Sequence, residues 1–377
     1  METSAVFLKT GASSHQALRR RYAFDRIFRY LNGYSPRKFT GSRPQNLESF
    51  LNSRKLERVL PKTYYSTCRF PADEGNRSTR SWPLFVILDD TVCEKTKPSS
   101  QATHRIQGAS FQHSRLKGQS VYGHVVVQAL LRSGDRVFPF ASERYDREAK
   151  SKIDLACEMI RSVPMSTCRT YVLMDSWYPS ASVLQTSAER GFHVISGLKT
   201  NRIFYPQGIR QSLKNFASYI SKSDTVLVTI GSSAYRVYRY EGKLNLLENA
   251  ALLLCWKEGD GFEPKQMKAF LSTDISLSNE EILCYYSKRW DIETYFRTAK
   301  VQLAMDRYQV RSTQAIDRYL TLLMFSAWYC QYDSQGSLND GLHHYRIQKK
   351  HDMIDYIYNQ AKSGATLDQI KTWLSVA

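Results

Sequence analysis

A chain of 377 residues, 42% of them hydrophobic, is long enough for two or three domains and too apolar to be disordered. Its 53 Lys and Arg against 35 Asp and Glu leave a net charge of +18, which favours a polyanionic partner, most simply nucleic acid. Seven scattered cysteines without a CxxC pair, and histidines without ligand spacing, argue against a disulfide framework or a zinc site and fit a reducing cytoplasm.

The first 80 residues hold 16 Lys and Arg against 6 Asp and Glu. Residues 17–31 read as a basic amphipathic helix, with Phe24, Ile27, Phe28 and Leu31 on one face and Arg19, Arg20, Arg21, Arg26 and Arg29 in the same segment. A second helix is predicted over 46–58. The region 1–80 is therefore expected to be a basic helical DNA-binding region, with a solvated helical cap as the other reading.

From Ser81 the pattern changes. Leu84-Phe-Val-Ile-Leu88 is a continuous apolar run that ends in Asp89-Asp90-Thr91, and such a run predicts a strand buried on both faces. Val121–Leu131 and Val137–Ala141 predict two more strands joined by Arg132-Ser-Gly-Asp, a hairpin turn. Residues 146–161 read as a helix. Thr170–Met174 is another buried strand, again ending in an acid, Asp175. A helix over 179–190 and a strand His193–Leu198 follow. Three meandering strands and then β-α-β units make a mixed sheet with helices on it, so 81–222 reads as the first part of an α/β core.

Residues 223–275 read as a β-rich insertion, with strands at Thr225–Ile230, Ala234–Tyr240, Ala250–Trp256 and Lys268–Thr273. Ser278-Asn-Glu-Glu281 is a capping box that opens the next helix. The segment 276–305 is then a single core helix, and 306–377 a helical C-terminal region with a polar break near 333–341. The apolar stretch Tyr319–Cys330 is too short to span a bilayer and reads as a buried helix. The N-terminus has no apolar signal core.

Two buried strands ending in Asp would share one sheet, and strand C-ends open into a crevice beside it. Read as one helix at about 100° per residue, Tyr286, Arg289, Glu293 and Lys300 fall in one sector. Asp90, Asp175 and Glu293 could thus converge. Three carboxylates at one place repel unless cations neutralise them, and two Mg²⁺ would do so through oxygen ligands. Each acid alone is also open to a blander reading, as a turn residue, a helix cap or the partner of Arg289 or Arg297.

The spacing Tyr-(2)-Arg-(3)-Glu-(6)-Lys, met by Tyr286, Arg289, Glu293 and Lys300, resembles the signature of bacterial insertion-sequence DDE transposases. Ile87-Leu-Asp-Asp-Thr91 resembles the first acidic motif of that group. Met174-Asp-Ser-Trp-Tyr178, with Gly197-Leu-Lys199-Thr-Asn-Arg202, resembles the second. The resemblance implies a ribonuclease-H-like mixed five-stranded sheet, and an enzyme that cuts DNA at transposon ends and joins it to target DNA. It implies Asp90, Asp175 and Glu293 as catalytic and metal-binding residues, with Asp90 chosen over Asp89 because threonine follows it directly. Tyr286, Arg289 and Lys300 would hold DNA, with Lys199 and Arg202 as further phosphate contacts. Trp256 reads as core, with stacking on an extruded base as the alternative. The cofactor expected is Mg²⁺, two ions, with Mn²⁺ as a substitute. The partners expected are double-stranded DNA, as terminal inverted repeats and target, and a second copy in a homodimer. The place expected is the bacterial cytoplasm at the nucleoid. The alternatives are a ribonuclease-H-like endonuclease or resolvase without strand joining, and an inactive DNA-binding derivative.

Overall fold

The computed structural model describes residues 82–114, 117–334 and 336–376. The reading of 1–80 as a basic helical region lies outside them. The described chain falls into two compact units. A sheet unit takes in residues up to Val92 and His124–Phe296, and a second unit takes in Cys93–Gly123 and the residues from Arg297 onward.

In the sheet unit, β1 (Leu84–Glu94) begins with Leu84–Leu88, every residue of which is buried. It pairs in parallel with β5 (Thr170–Met174), and β5 pairs in parallel with β6 (His193–Leu198). Strands flanked on both sides and covered on both faces must be apolar throughout, which is why these runs do not alternate. On the other side of β1 lies β3 (Gln119–Ser133), paired antiparallel with β4 (Arg136–Arg144). The turn between them uses Gly134 at φ +56°, a left-handed conformation that glycine adopts without a Cβ penalty. These five strands are the ribonuclease-H-like sheet that was expected.

The sheet does not stop at five strands. Beyond β6 it continues through β12 (Lys268–Ser272), β11 (Leu247–Lys257) and β10 (Ser233–Leu244), all antiparallel. Strand β10 also carries β9 (Val226–Ile230), and its end meets β7 (Ile203–Phe204), which pairs with β8 (Gln211–Ser212). The β-rich insertion is therefore an extension of the main sheet. Its last strand covers the open edge of β6, whose backbone groups would otherwise go unpaired. Trp256 is 1% exposed, stacks on Phe262 and donates its indole N–H to the Glu263 carbonyl, so it belongs to the core.

Helix α1 (Lys152–Ser162) starts later than predicted, because Ser151 and Asp154 form a reciprocal capping box that sets its first turn. Helix α2 (Ala181–Glu189) follows Pro179 and the N-cap Ser180. A short helix α3 (Leu213–Ala217), not foreseen, lies between β8 and β9. The predicted capping box at Ser278 and Glu281 opens α4 (Asn279–Ser287). The single helix expected over 276–305 is in fact two. A tight turn at Lys288–Arg289, with i to i+3 bonds such as Arg289 N–H to the Tyr286 carbonyl, separates α4 from α5 (Trp290–Gln302). Such bonds advance the chain by about 120° per residue, so Tyr286 and Glu293 are not related by one helical stripe.

In the second unit β2 (Ser110–Ser114) pairs with the start of β3. The unit also holds α6 (Thr313–Ser334), α7 (Leu338–Lys362) and α8 (Leu367–Val376). The apolar stretch of α6 is buried, as Tyr319, Leu320, Leu323 and Ala327 illustrate. Among the described residues no helix is long and apolar enough to cross a membrane, and no disulfide joins the six described cysteines.

Candidate active site

The register of β1 with β5 ends at the pair Leu88–Met174. Asp89 and Asp175 are each one residue past that rung, on adjacent parallel strands. Side chains at one level of a sheet leave from the same face, and neighbouring strands are about 4.8 Å apart. Asp89 and Asp175 are thereby neighbours, and Asp90 leaves from the opposite face.

The side-chain contacts follow this geometry. Asp89 Oδ2 lies 3.1 Å from Arg289 Nη1, and the same Nη1 lies 3.5 Å from Glu293 Oε1. Arg289 thus stands between a carboxylate of β1 and the carboxylate of α5, two groups 204 residues apart in sequence. Asp89 and Arg289 are only 13% and 15% exposed, whereas Glu293 is 41% exposed. Burial, and then the charge of Asp175, push the Asp89 carboxyl from its ordinary 3.8 up to about 7, against the pull of the Asp90 amide and Arg289. Asp175 Oδ1 accepts from the Trp177 amide at 2.8 Å, so this acid also shapes the turn that enters α2.

Asp90 is held elsewhere. Its Oδ2 is 2.8 Å from Lys152 Nζ, and its Oδ1 accepts from the Tyr178 hydroxyl at 3.0 Å. Asp90, expected to converge with Asp175 and Glu293, has Lys152 and Tyr178 as its side-chain partners instead. Asp89 lies beside Asp175 and is linked to Glu293 through Arg289. The choice of Asp90 followed the neighbouring threonine, while the pleat alternates the two adjacent acids between faces. The alternation itself was a signal in the sequence that could have raised Asp89.

Tyr286 is half-buried near the end of α4, with its ring edge-on to Phe270 at 4.7 Å. Burial raises its phenol pKa, while the hydrogen-bonded Arg289 lowers it. A Cβ on Gly197 would come within 3.0 Å of the Tyr286 hydroxyl and 3.3 Å of the Ser176 amide, so glycine there admits the phenol. Lys199 is exposed just past β6. Arg202 is half-buried and donates to the Pro179 carbonyl at 2.8 Å. Lys300 is half-buried in the second unit. Lys152 was not foreseen, since it sits in no motif, and Tyr178 entered only as the last residue of the second acidic motif, with no role.

Among the described residues no group of three or more His, Cys, Asp or Glu is gathered closely enough to hold a metal ion as it stands. The donor set nevertheless fits a hard divalent cation. It offers carboxylate oxygens only, and burial and the neighbouring Asp175 oppose the ionised form of Asp89 more than Arg289 favours it, which a cation would offset. Arg289 Nε is buried without a hydrogen-bond partner, so the guanidinium is not fully committed in its present place.

The family model of the transposase DDE domain matches residues 84–329. The chain belongs to this family. Among solved structures, the cryo-EM structure of a piggyBac transposase synaptic complex with hairpin DNA is similar, with a TM-score of 0.38 and 12% identity, over 71% of this chain and 52% of that one. The chain therefore spans about half the length of that relative. No curated protein matches. The matched span of the DDE domain contains Asp89, Asp90, Asp175, Arg289 and Glu293 together with the sheet that carries the first three acids. DDE transposases in general use divalent metal ions, in keeping with an all-carboxylate donor set.

Proposed function

We propose that this chain is a bacterial insertion-sequence transposase that cuts DNA at transposon ends and joins the freed ends to target DNA. The observation that carries this reading is Arg289 bridging Asp89 and Glu293, with Asp175 on the adjacent strand end, inside the matched DDE domain.

On this reading Asp89, Asp175 and Glu293 are the metal-binding acids, and Asp89 replaces Asp90 in the set expected from the motif. Two Mg²⁺, or Mn²⁺ in their place, would supply activation of the attacking oxygen and charge neutralisation at the leaving one. Asp89 and Asp175 present oxygens from one face of the sheet, and Glu293 brings a third carboxylate from α5. In the first displacement a water oxygen bonds to phosphorus, and the 3′ oxygen at the element's end leaves. In the second that 3′-hydroxyl bonds to a target phosphorus, and a target oxygen leaves. Arg289 steadies Asp89 and Glu293 and is in reach of a phosphate. Tyr286, Lys199, Arg202 and Lys300 are the further DNA contacts proposed. Two ends must be handled together, so the working unit is a homodimer.

The test is cleavage of a duplex carrying the element's own end, with Mg²⁺ and with EDTA. Asp175→Asn abolishes cleavage, because loss of one metal ligand removes several kcal/mol of transition-state stabilisation and about 1.4 kcal/mol is tenfold in rate. Cutting by this variant at near the parent rate refutes the assignment. Joining of precut 3′-hydroxyl ends separates a transposase from an endonuclease that only cuts.

A further inference from the structure

The contacts of Asp90 carry an inference that rests on the cation site proposed above and goes beyond it. Past the rung Leu88–Met174 the backbone register of β1 with β5 has ended. Asp89 and Asp90 still lie inside β1, whereas Asp175 is one residue past the end of β5, so the tie between the loop after β5 and β1 depends on side chains. Asp90 supplies such a link. Its Oδ1 accepts from the hydroxyl of Tyr178, which is fully buried and only three residues past Asp175. Its Oδ2 pairs at 2.8 Å with Lys152, the first residue of α1 after the Ser151 N-cap.

The loop after Asp175 is gripped from the same point. Lys152 Nζ stands 5.5 Å from the Trp177 ring and 5.6 Å from the Tyr145 ring. Trp177 lies edge-on to Tyr178 at 4.9 Å, and its amide is taken by Asp175 Oδ1. Three pieces of chain thus meet at one carboxylate: the middle of β1, the start of α1 and the loop from β5 to α2. Both oxygens of that carboxylate have partners, and its charge faces a lysine at equal exposure, 20% for each side chain.

We propose that Asp90 is a positioning residue, which through Tyr178 and Lys152 sets the spacing of Asp89 and Asp175 and so their grip on a divalent cation. Groups that orient metal ligands without touching the metal influence affinity through geometry. The role differs from that of a ligand in two ways that can be measured. Loss of Asp90 weakens cation binding without removing it, and the effect of Asp90 is shared with Tyr178.

The experiment is Mn²⁺ titration of the full chain by electron paramagnetic resonance, with thermal melts to confirm folding. Asp89→Ala is expected to lose Mn²⁺ binding. Asp90→Ala and Tyr178→Phe are each expected to weaken it by about 10- to 100-fold, the usual range for such supporting groups. The double variant is expected to be no weaker than Asp90→Ala, because one contact cannot be lost twice. Asp90→Asn keeps an oxygen for Tyr178 and falls between parent and Asp90→Ala. It is isosteric, and it serves if the alanine variant does not fold. Loss of Mn²⁺ binding in Asp90→Asn with retention in Asp89→Ala would make Asp90 a ligand and overturn the proposal. Additive effects of Asp90→Ala and Tyr178→Phe would overturn it as well, and both results leave the cation site standing. A parent chain that binds no Mn²⁺ overturns the cation site itself and the positioning role with it.

Discussion

Asp89 and Asp90 are the same chemical group one residue apart, and their surroundings make them different. One is buried beside Asp175 and Arg289, the other is paired with Lys152 and Tyr178. The raised pKa of Asp89 has a consequence for stability. Between its unfolded value of 3.8 and its folded value of about 7, the metal-free folded chain holds a proton that the unfolded chain has released. Stability from this group is therefore full below the lower value and is lost as pH rises through the upper one. The melting temperature of the parent relative to Asp89→Asn should fall between about pH 4 and pH 7 in the absence of divalent metal. Parallel pH curves for the two proteins would contradict the burial of a reluctant carboxylate. That Asp89 is the acid facing Asp175 was legible only in outline. The motif marked the pair of aspartates, and the register of β1 on β5 sets Asp89 beside Asp175.

Elements were easier to read than contacts. Apolar runs such as Leu84–Leu88 and Thr170–Met174 became buried parallel strands because only apolar side chains can face both covering layers. The Ser278 and Glu281 pair capped its helix as local chemistry requires. The break at Lys288–Arg289 escaped notice, since helical periodicity on either side of it is intact. Some glycines matter at this scale for close approach rather than for turns. A Cβ on Gly123 would sit 2.2 Å from the Cys93 carbonyl oxygen, a backbone atom that cannot swing aside. Gly123→Ala is therefore expected to destabilise the fold by about 1–3 kcal/mol, the usual cost of overpacking. A urea titration checks this, and an unchanged midpoint would show that β1 and β3 have room to part.

For the molecule as a whole, the charge of +18 is a statement about partners rather than fold. DNA binding should weaken steeply with salt, roughly 10³-fold between 50 and 200 mM if six or so phosphates are contacted. Anisotropy of a labelled duplex measures it, and a flat response would exclude phosphate contacts as the source of affinity. The linear order of residues by itself determined the α/β class, most strands, the capping box at Ser278 and the set of acids from which a site could be drawn, because burial on two faces and helix capping depend on near neighbours. Only the tertiary structure decided that the insertion extends the main sheet from β6, that Arg289 joins Asp89 to Glu293, and that Asp90 turns toward Lys152. Strand register and the pairing of distant side chains depend on which edges meet once the whole chain has packed, and no local pattern encodes that.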